Sequence, residues 1–530
     1  MNHDTEHWRV SKSATTHPDG VVSAQHILAA RAGAAMLDQG GNAVDAAIAT
    51  ALALGAVEPW MCGLGGSGLM VIWLAKERRA VTLDFQGVLA GATVFDDYPV
   101  DPDLPETLMG FPTVRNNANV EGYRSVTVPG AAAGFDRALR KWGSLPLATV
   151  AAPAIALAES GVEATWFTTL QIALASPIIA KDPTSRQIYL PGGHPAAPET
   201  PVTIPGLAQT LTRFAEGGAD AFYTGSLAQD IVADLNAGGS TISRDDLAAY
   251  EVLEAEAHMQ DHRDVTVHVM GDVSGGTRLR DFLQYTKSHI PAPPVRPTPE
   301  TWKHYADGLN AAFRAHNIRI GRETEKDSCT SHLSSADKDG NMVALTHTLL
   351  NRFGSGVTLP QTGLLMNNSV SYFDPRPDWP TSMAPRKRIN ASNMCPTVVT
   401  RDGKAAFALG ASGGNHIMPA VAQVTALLLD FGLSLEEAMN HPRLDASDRA
   451  SVRADPALGQ VVLDALAQEH DLEIAQRLVF PKLYACVSAV AATPAGWEGL
   501  NDPSQPSGGS SGPAAFSTNP VTRSSQDVRA

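Results

Sequence analysis

The chain has 530 residues, 44% apolar and 18% charged, a globular composition long enough for one very large domain or two to four average ones. Forty basic against fifty-five acidic residues leave a net charge of -15, and no Lys/Arg run is dense enough to track phosphates, which argues against nucleic acid as a partner. The four cysteines, Cys62, Cys329, Cys395 and Cys486, have no framework spacing and no CxxC, so neither a disulfide scaffold nor a zinc site is expected.

The first twenty residues, MNHDTEHWRVSKSATTHPDG, lack the charged-then-apolar pattern of a secretory signal, and a cytoplasmic location is expected. Two small-residue-rich helices follow, SAQHILAARAGAAMLDQ and NAVDAAIATALALGAV, with Ser23 and Asn42 as N-caps and Gly40-Gly41 as the stop between them. The apolar run AIATALALGAV falls far short of the roughly 20 residues that would span a bilayer, so no membrane is expected. LMVIWL and AVTLDF read as strands, the region from about 130 to 235 as helices joined by Pro/Gly loops, VTVHVM as a strand and TWKHYADGLNAAFRAH as a helix. The polar lead-in GRETEKDSC reads as an exposed loop before a hairpin. LLMNNSVSYF, a Pro-rich turn region, TVVT, AAFALG and an apolar helix at HIMPAVAQVTALLLDFG complete the ordered part, and the stretch from Asn501, with PSQPSGGSSGP, has a disordered composition. No internal repeat is visible.

The hairpin consists of SHLSSA and MVALTHT around DKDGN, an Asp-Gly turn. A turn centred near Asp339 pairs Thr330 with Thr348 and Leu333 with Leu345, because cross-strand partners sum to a constant. Alternation then places Thr330, His332 and Ser334 on one face with Thr346 and Thr348, and Leu333, Val343 and Leu345 on the other.

Three motifs invite chemistry. GLGGSG at Gly63–Gly68 has the letters of a dinucleotide fingerprint but a helix before it and a strand after it, the reverse of what that fingerprint needs, so a tight packing turn is expected. His258, His262 and His268 with Asp261 and Asp264 match no metal spacing, and solvated histidines are expected there. GASGG at Gly410–Gly414 lies between a strand and a helix, as a nucleophile elbow does. On that reading Ser412 is the nucleophile, with Asp430 or Asp445 and His441 or His470 as relay partners. Alternatively, the amides of Gly413 and Gly414 form an oxyanion hole for a nucleophile from elsewhere, or the segment is a turn without chemistry.

Taken together and in order, NAVDAAIA, EPWMCGLGGSG, SVTVPGAAAGF, TSHLSSADKDGNMVALTHT, FGSGV, LLMNNS, NMCPTVV and LGASGGNHI resemble the gamma-glutamyltransferase family of N-terminal-nucleophile hydrolases, over about Val21 to Ser447. The resemblance implies an α+β, four-layer αββα sandwich with two antiparallel sheets between helical layers. It also implies a precursor cut between Cys329 and Thr330, giving a large segment, 1–329, and a small one, 330–530, intertwined in one domain. Thr330 would then attack an amide carbonyl with its own α-amine as base, oriented by Thr348, while Gly413 and Gly414 hold the oxyanion. Neither cofactor nor metal is implied; the partners expected are a small-molecule amide and the second processed chain, with further homo-oligomerisation left open.

The resemblance breaks in the substrate pocket. Where the family grips a glutamyl group with Arg, this chain has Gln86. The positions that hold the amine fall on Leu350, Ser369 and Tyr372, with Asn351 one residue out of step, and the paired Ser residues read Ser392 and Asn393. Tyr372 supplies no negative charge near neutral pH. The segment from Phe373 to Arg388 is short for the family's lid, which predicts a more open pocket. Two cations outside the pattern, Arg352 and Arg386, are candidates to receive one carboxylate, bidentately if geometry allows. The expected activity is therefore amide hydrolysis of an oxamate-like or glutaryl, cephalosporin-acylase-like substrate. A true glutathione hydrolase or transferase, an unprocessed inactive scaffold and a Ser412 elbow hydrolase are the alternatives.

Overall fold

The small-residue run predicted as two helices forms α1 (Ile27–Asp38) and α2 (Ala43–Val57). The structure is a computed structural model describing residues 10–107, 110–320, 329–447 and 451–513. The lead-in predicted as an exposed loop has residues 321–328 outside the described residues, as does the tail beyond 513. Asn42 caps α2 as expected, its side chain accepting from the amides of Val44 and Asp45 while Asp45 answers the Asn42 amide. Ser23 does not cap α1: it lies in a strand, and His26 accepts from Leu28 instead. A Cβ on Gly33 would sit 2.1 Å from Thr50 Oγ1 and 2.7 Å from the Ala46 carbonyl, so α1 meets α2 at a distance only glycine permits.

Fourteen strands build two sheets. In chain order they are β1 (Thr15–His17), β2 (Gly20–Ala24), β3 (Ser67–Leu74), β4 (Arg79–Phe85), β5 (Leu253–Glu256), β6 (His258–His262), β7 (Val265–Val269), β8 (Cys329–Asp337), β9 (Met342–Leu350), β10 (Thr397–Arg401), β11 (Lys404–Ser412), β12 (Cys486–Thr493), β13 (Gly496–Asn501) and β14 (Gly509–Ser511). One sheet runs β14-β2-β8-β9-β3-β4-β5 and the other β1-β13-β12-β11-β10-β7-β6, seven strands each, every neighbouring pair antiparallel. Both sheets take strands from either side of Thr330.

Three apolar layers hold the sandwich. Ile48, Leu54 and Phe135 of the helical layer, including α3 (Ala131–Trp142), pack on Leu333, Val343 and Leu345 of the first sheet. Phe282 of α4 (Gly276–His289), Trp302 and Phe313 of α5 (Pro299–Ile320), and Val421 of α6 (Ile417–Asp430) cover Leu409 and Val487 of the second. Between the sheets lie Val71, Trp73, Ala344, Val398 and Trp497. The result is the four-layer αββα arrangement implied by the sequence resemblance. No helix among the described residues is long and apolar enough to cross a membrane.

Two expectations need correction. Residues 501–513 are ordered: Asn501, Asp502, Ser504 and Gln505 are buried, β14 pairs with β2, and Lys12 Nζ donates to the carbonyls of Asp502 (3.1 Å), Gln505 (2.6 Å) and Gly508 (2.8 Å). Composition misled here because the ordering comes from a lysine nearly five hundred residues away. Of the histidines expected to be solvated, only His258 is; His262 is buried on Asp430 (3.0 Å), and His268 lies between the sheets, bonded to Thr400 (2.9 Å) and against Trp73. Segment 373–388 folds back on residues 87–90, with Asp374 and Met383 hydrogen-bonded within it and Leu89 donating to Lys387 O.

Candidate active site

Leu333↔Leu345 and His332↔Thr346 pair as the turn geometry requires, but between Cys329 and Ser331 the ladder shifts by one residue. Cys329 faces Leu350 and Ser331 faces His347, which sets Thr330 opposite Thr348 and Leu349 in a bulge. Thr330 and Thr348 are both buried, and Thr348 Oγ1 accepts from the Leu350 amide at 2.8 Å. Thr348 also pairs with Ser67, directly after Gly66 of the GLGGSG turn; a Cβ on Gly66 would lie 2.5 Å from Thr348 O. GLGGSG is thus the packing turn it was expected to be, between α2 and β3.

GASGG closes β11 and leads through a single 3-10 turn, Gly414–His416, into α6. Gly413 and Gly414 have φ of 133° and 60°, conformations open to glycine at low cost. The first amides of a helix lack partners within the helix, so an entrance of this kind suits a developing oxyanion. A two-bond bridge joins this turn to the hairpin. Ser331 Oγ donates to Gln25 Oε1 at 3.2 Å, and Gln25 Nε2 donates to Ser412 Oγ. The residue after Thr330 and the residue before Gly413 are therefore held by one glutamine.

A cavity of about 430 Å³ opens beside this bridge, lined on one side by Ser412, Gly413 and His416 and on another by Asn351 and Arg352. Trp60, Phe167, Leu174, Ile178 and Phe480 make its apolar wall. Arg352 lines it, with Nε donating to Gln171 Oε1 at 2.7 Å. Arg386 does not. It pairs with Asp246 (3.6 Å) beside Gly91, on the segment that folds away, so it is corrected out of the site.

The predicted substrate positions Gln86, Ser369, Ser392 and Asn393 are buried and do not line this cavity. Gln86 Nε2, Ser369 Oγ, Ser392 Oγ and Asn393 Oδ1 are all buried without a hydrogen-bond partner among the described residues. Such atoms cost free energy unless a ligand or water meets them. Gln86 Oε1 accepts from Ser67 Oγ (3.4 Å), and Asn393 Nδ2 donates to Asn415 Oδ1 (2.7 Å), tying this region to Thr348 and to Gly414. Leu350 and Tyr372 lie instead in an apolar cluster with Val370, Phe373 and Ile389.

His332 and His347 flank the hairpin end, but burial pushes both down to about 3, so neither is an effective base near neutral pH. Of the elbow partners, Asp430 holds His262 and Arg263 (2.8 Å), His441 bonds the Pro442 carbonyl and His470 pairs with Asp307; only Asp445 comes near, bonded at 2.8 Å to His416 Nδ1. His416 was missed although it stands in the quoted LGASGGNHI. Glu58, in EPWMCGLGGSG, was missed likewise. Lys482 and Gln505 also line the cavity, and neither carries a local signal.

Two seven-stranded antiparallel sheets between helical layers are the αββα fold of N-terminal-nucleophile hydrolases. Residues 29–322 and 310–512 match the family model for gamma-glutamyltranspeptidase, and the chain belongs to that family. It is thus an enzyme of the amide hydrolase and acyltransferase kind. It is 30% identical over 525 residues to the Acylase ACY 1 proenzyme of Pseudomonas sp. (strain V22), covering 92% of each chain. It is 30% identical over 482 residues to the Glutathione hydrolase proenzyme of Escherichia coli (strain K12), covering 80% of each. In fold it is similar to the crystal structure of cephalosporin acylase from Bacillus halodurans, with a TM-score of 0.83 and 24% identity, over 97% of this chain and 99% of that one.

Proposed function

We propose that the chain is an autoprocessing amidohydrolase whose nucleophile is Thr330, freed by hydrolysis of the Cys329–Thr330 bond. The observation that carries this reading is the Ser331–Gln25–Ser412 bridge, which holds the start of β8 and the Gly413 turn together. A threonine hydroxyl needs a base, and a terminal α-amine, with a reference pKa of about 8, titrates close enough to neutrality to serve. With both neighbouring imidazoles pushed down to about 3, that amine is the better proton acceptor. The Gly413 and Gly414 amides would stabilise the oxyanion, one such donor being worth about 2.7–4 kcal/mol. Because both sheets use strands from each side of the cut, the two chains should stay together until denatured.

The test is the mass of the purified protein under denaturing conditions, with two chains expected, the smaller beginning TSHLSS. A single inert chain would favour a scaffold. The Ser412 elbow has one observation in its favour, the His416–Asp445 pair beside Ser412 in the cavity wall. A single chain that hydrolyses esters and loses that activity in Ser412→Ala would establish it. Thr348→Ala should slow maturation and turnover by about tenfold or more, whereas Thr348→Ser should retain both, since orientation needs only the hydroxyl. Equal wild-type rates in the two variants would remove Thr348 from the site.

For the substrate, the ammonium of an α-amino-acid zwitterion needs an anion, and it finds none: Gln86, Leu350, Ser369 and Tyr372 are uncharged, the cavity offers the cations Arg352 and Lys482, and burial pushes Glu58 up to about 8, so the ammonium loses its hydration uncompensated. We therefore read glutathione as a poor substrate. Arg352 in the cavity wall suits one carboxylate, and the volume and apolar walls suit a body larger than oxamate, such as a glutaryl amide. Arg352→Gln should raise KM for glutaryl p-nitroanilide about tenfold, with a much smaller change for the butyryl analogue. Equal effects on both anilides, or efficient glutathione turnover, would refute this assignment.

A further inference from the structure

Glu58 follows α2, lies fully buried and lines the same cavity as Arg352. Gln505 Nε2 donates to its Oε1 at 2.9 Å and to the Gln25 carbonyl at 3.3 Å, so the carboxyl is anchored to the glutamine that bridges Ser331 and Ser412. Its Oε2 is buried with no hydrogen-bond partner among the described residues. On the other side of the amide, Lys482 Nζ donates to Gln505 Oε1. The cavity wall thus carries two cations, Arg352 and Lys482, each hydrogen-bonded to a neutral amide side chain and neither in ion-pair contact among the described residues.

We infer that Glu58 and Lys482, joined through Gln505, bind a carboxylate of the substrate together with Arg352, with Glu58 Oε2 as a hydrogen-bond donor. This rests on the amidohydrolase reading for its substrate but not for its geometry. A donor at Oε2 requires the proton to be there, and burial pushes Glu58 up to about 8, against the opposing pull of Lys482, Gln505 and Lys12. An O–H donor then meets the incoming anion. The carboxylate form, present above that pH, would repel it and leave Lys482 partly neutralised.

The groups facing Glu58 are Lys12 from the chain before β1, Cys62 from the turn after α2, and Lys482 from the loop before β12; Asp502 and Cys486 stand behind Lys12. Burial holds the Cys62 thiol well above its usual value, so it stays neutral. Lys12 is lowered to about 8 by burial and titrates in the same interval. Glu58→Gln separates the two, because it keeps a neutral donor at position 58 and leaves Lys12 in place.

The experiment is calorimetric titration of glutarate into the mature protein at about pH 6.5 and about pH 9.5, with wild type, Glu58→Gln and Lys482→Met. Wild-type affinity should fall about tenfold or more between the two pH values, as Glu58 gains charge. Glu58→Gln should stay within about threefold of wild type at the lower pH and lose most of that pH dependence. Lys482→Met should weaken binding about tenfold at the lower pH. A Glu58→Gln protein that follows the wild-type pH dependence, an unaffected Lys482→Met, or a wild type that binds no glutarate overturns the inference. Thr330-dependent hydrolysis of butyryl p-nitroanilide by a protein that binds no glutarate would overturn this site and spare the nucleophile. Glutarate binding with the expected pH dependence, in a protein that hydrolyses no amide, would do the reverse.

Discussion

Thr330→Ala should remain one chain and lose amide hydrolysis by about a thousandfold or more, because it removes the proposed nucleophile and blocks release of its base at the same time. The substitution is sterically mild. Thr330 is buried in the bulge opposite Thr348, and shortening it removes one hydroxyl and one methyl without touching the Leu333–Leu345 pairing that anchors the hairpin. Thermal stability should therefore change little while processing stops. Thr330→Ser, which keeps the hydroxyl, should still split into two chains. Denaturing electrophoresis read beside the melting temperature separates these outcomes. An intact, folded Thr330→Ala protein with wild-type hydrolysis would sink the assignment.

The second large effect is expected at Gly413. Its φ of 133° is strained for any L side chain, and an added Cβ would lie 2.9 Å from the backbone Cα of Ala485. Neither can relax cheaply, since the neighbouring Ser412 and Cys486 are paired across β11 and β12. Gly413→Ala should shift the amide it carries and cost about a hundredfold to a thousandfold in kcat, the scale of one lost oxyanion donor. A stability loss of about 1–3 kcal/mol from backbone strain should accompany it. Gly432→Ala is the control. Its φ of 60° is also positive, with no heavy atom within 4 Å of the added Cβ, and it follows the far end of α6. It should cost about 1 kcal/mol of stability and leave kcat unchanged. Equal kcat losses in the two variants would mean that Gly413 acts only through folding.

Several features were legible locally. The hairpin register from Ser331 to Ala336 follows from period-two alternation and an Asp-Gly turn, both properties of adjacent residues. The α1–α2 pair follows from capping at Asn42 and a helix-breaking Gly40-Gly41, and the strand–turn–helix around GASGG from hydrophobic patterning. The bulge at Thr330 was not legible, because a single-residue slip leaves the hydrophobic alternation beyond it unchanged. Ser23 failed as an N-cap for a related reason: cap chemistry is also strand chemistry, and pairing with β8 and β14 took that residue into the sheet.

By itself the amino-acid sequence determined the hairpin, the two small-residue helices from Ile27 to Val57, the order of the motifs and the pair of threonines at the hairpin end. Only the tertiary structure decided which charges share the cavity. Arg352 and Arg386 looked equivalent in the chain, yet one faces the cavity and the other is taken by Asp246. Gln505 enters from a stretch whose composition suggests disorder and reaches Glu58 across more than four hundred residues, while Lys482, from the loop before β12, bonds that same glutamine. Asp502 anchors that stretch: burial pushes its carboxyl up, but Arg443, Arg477 and Ser504 outweigh the burial and hold it low. The physical reason is the range of each interaction. Capping, alternation and turns act between residues a few positions apart and leave a period in the sequence, whereas a buried hydrogen bond or ion pair depends on two distant segments being packed together, and leaves none.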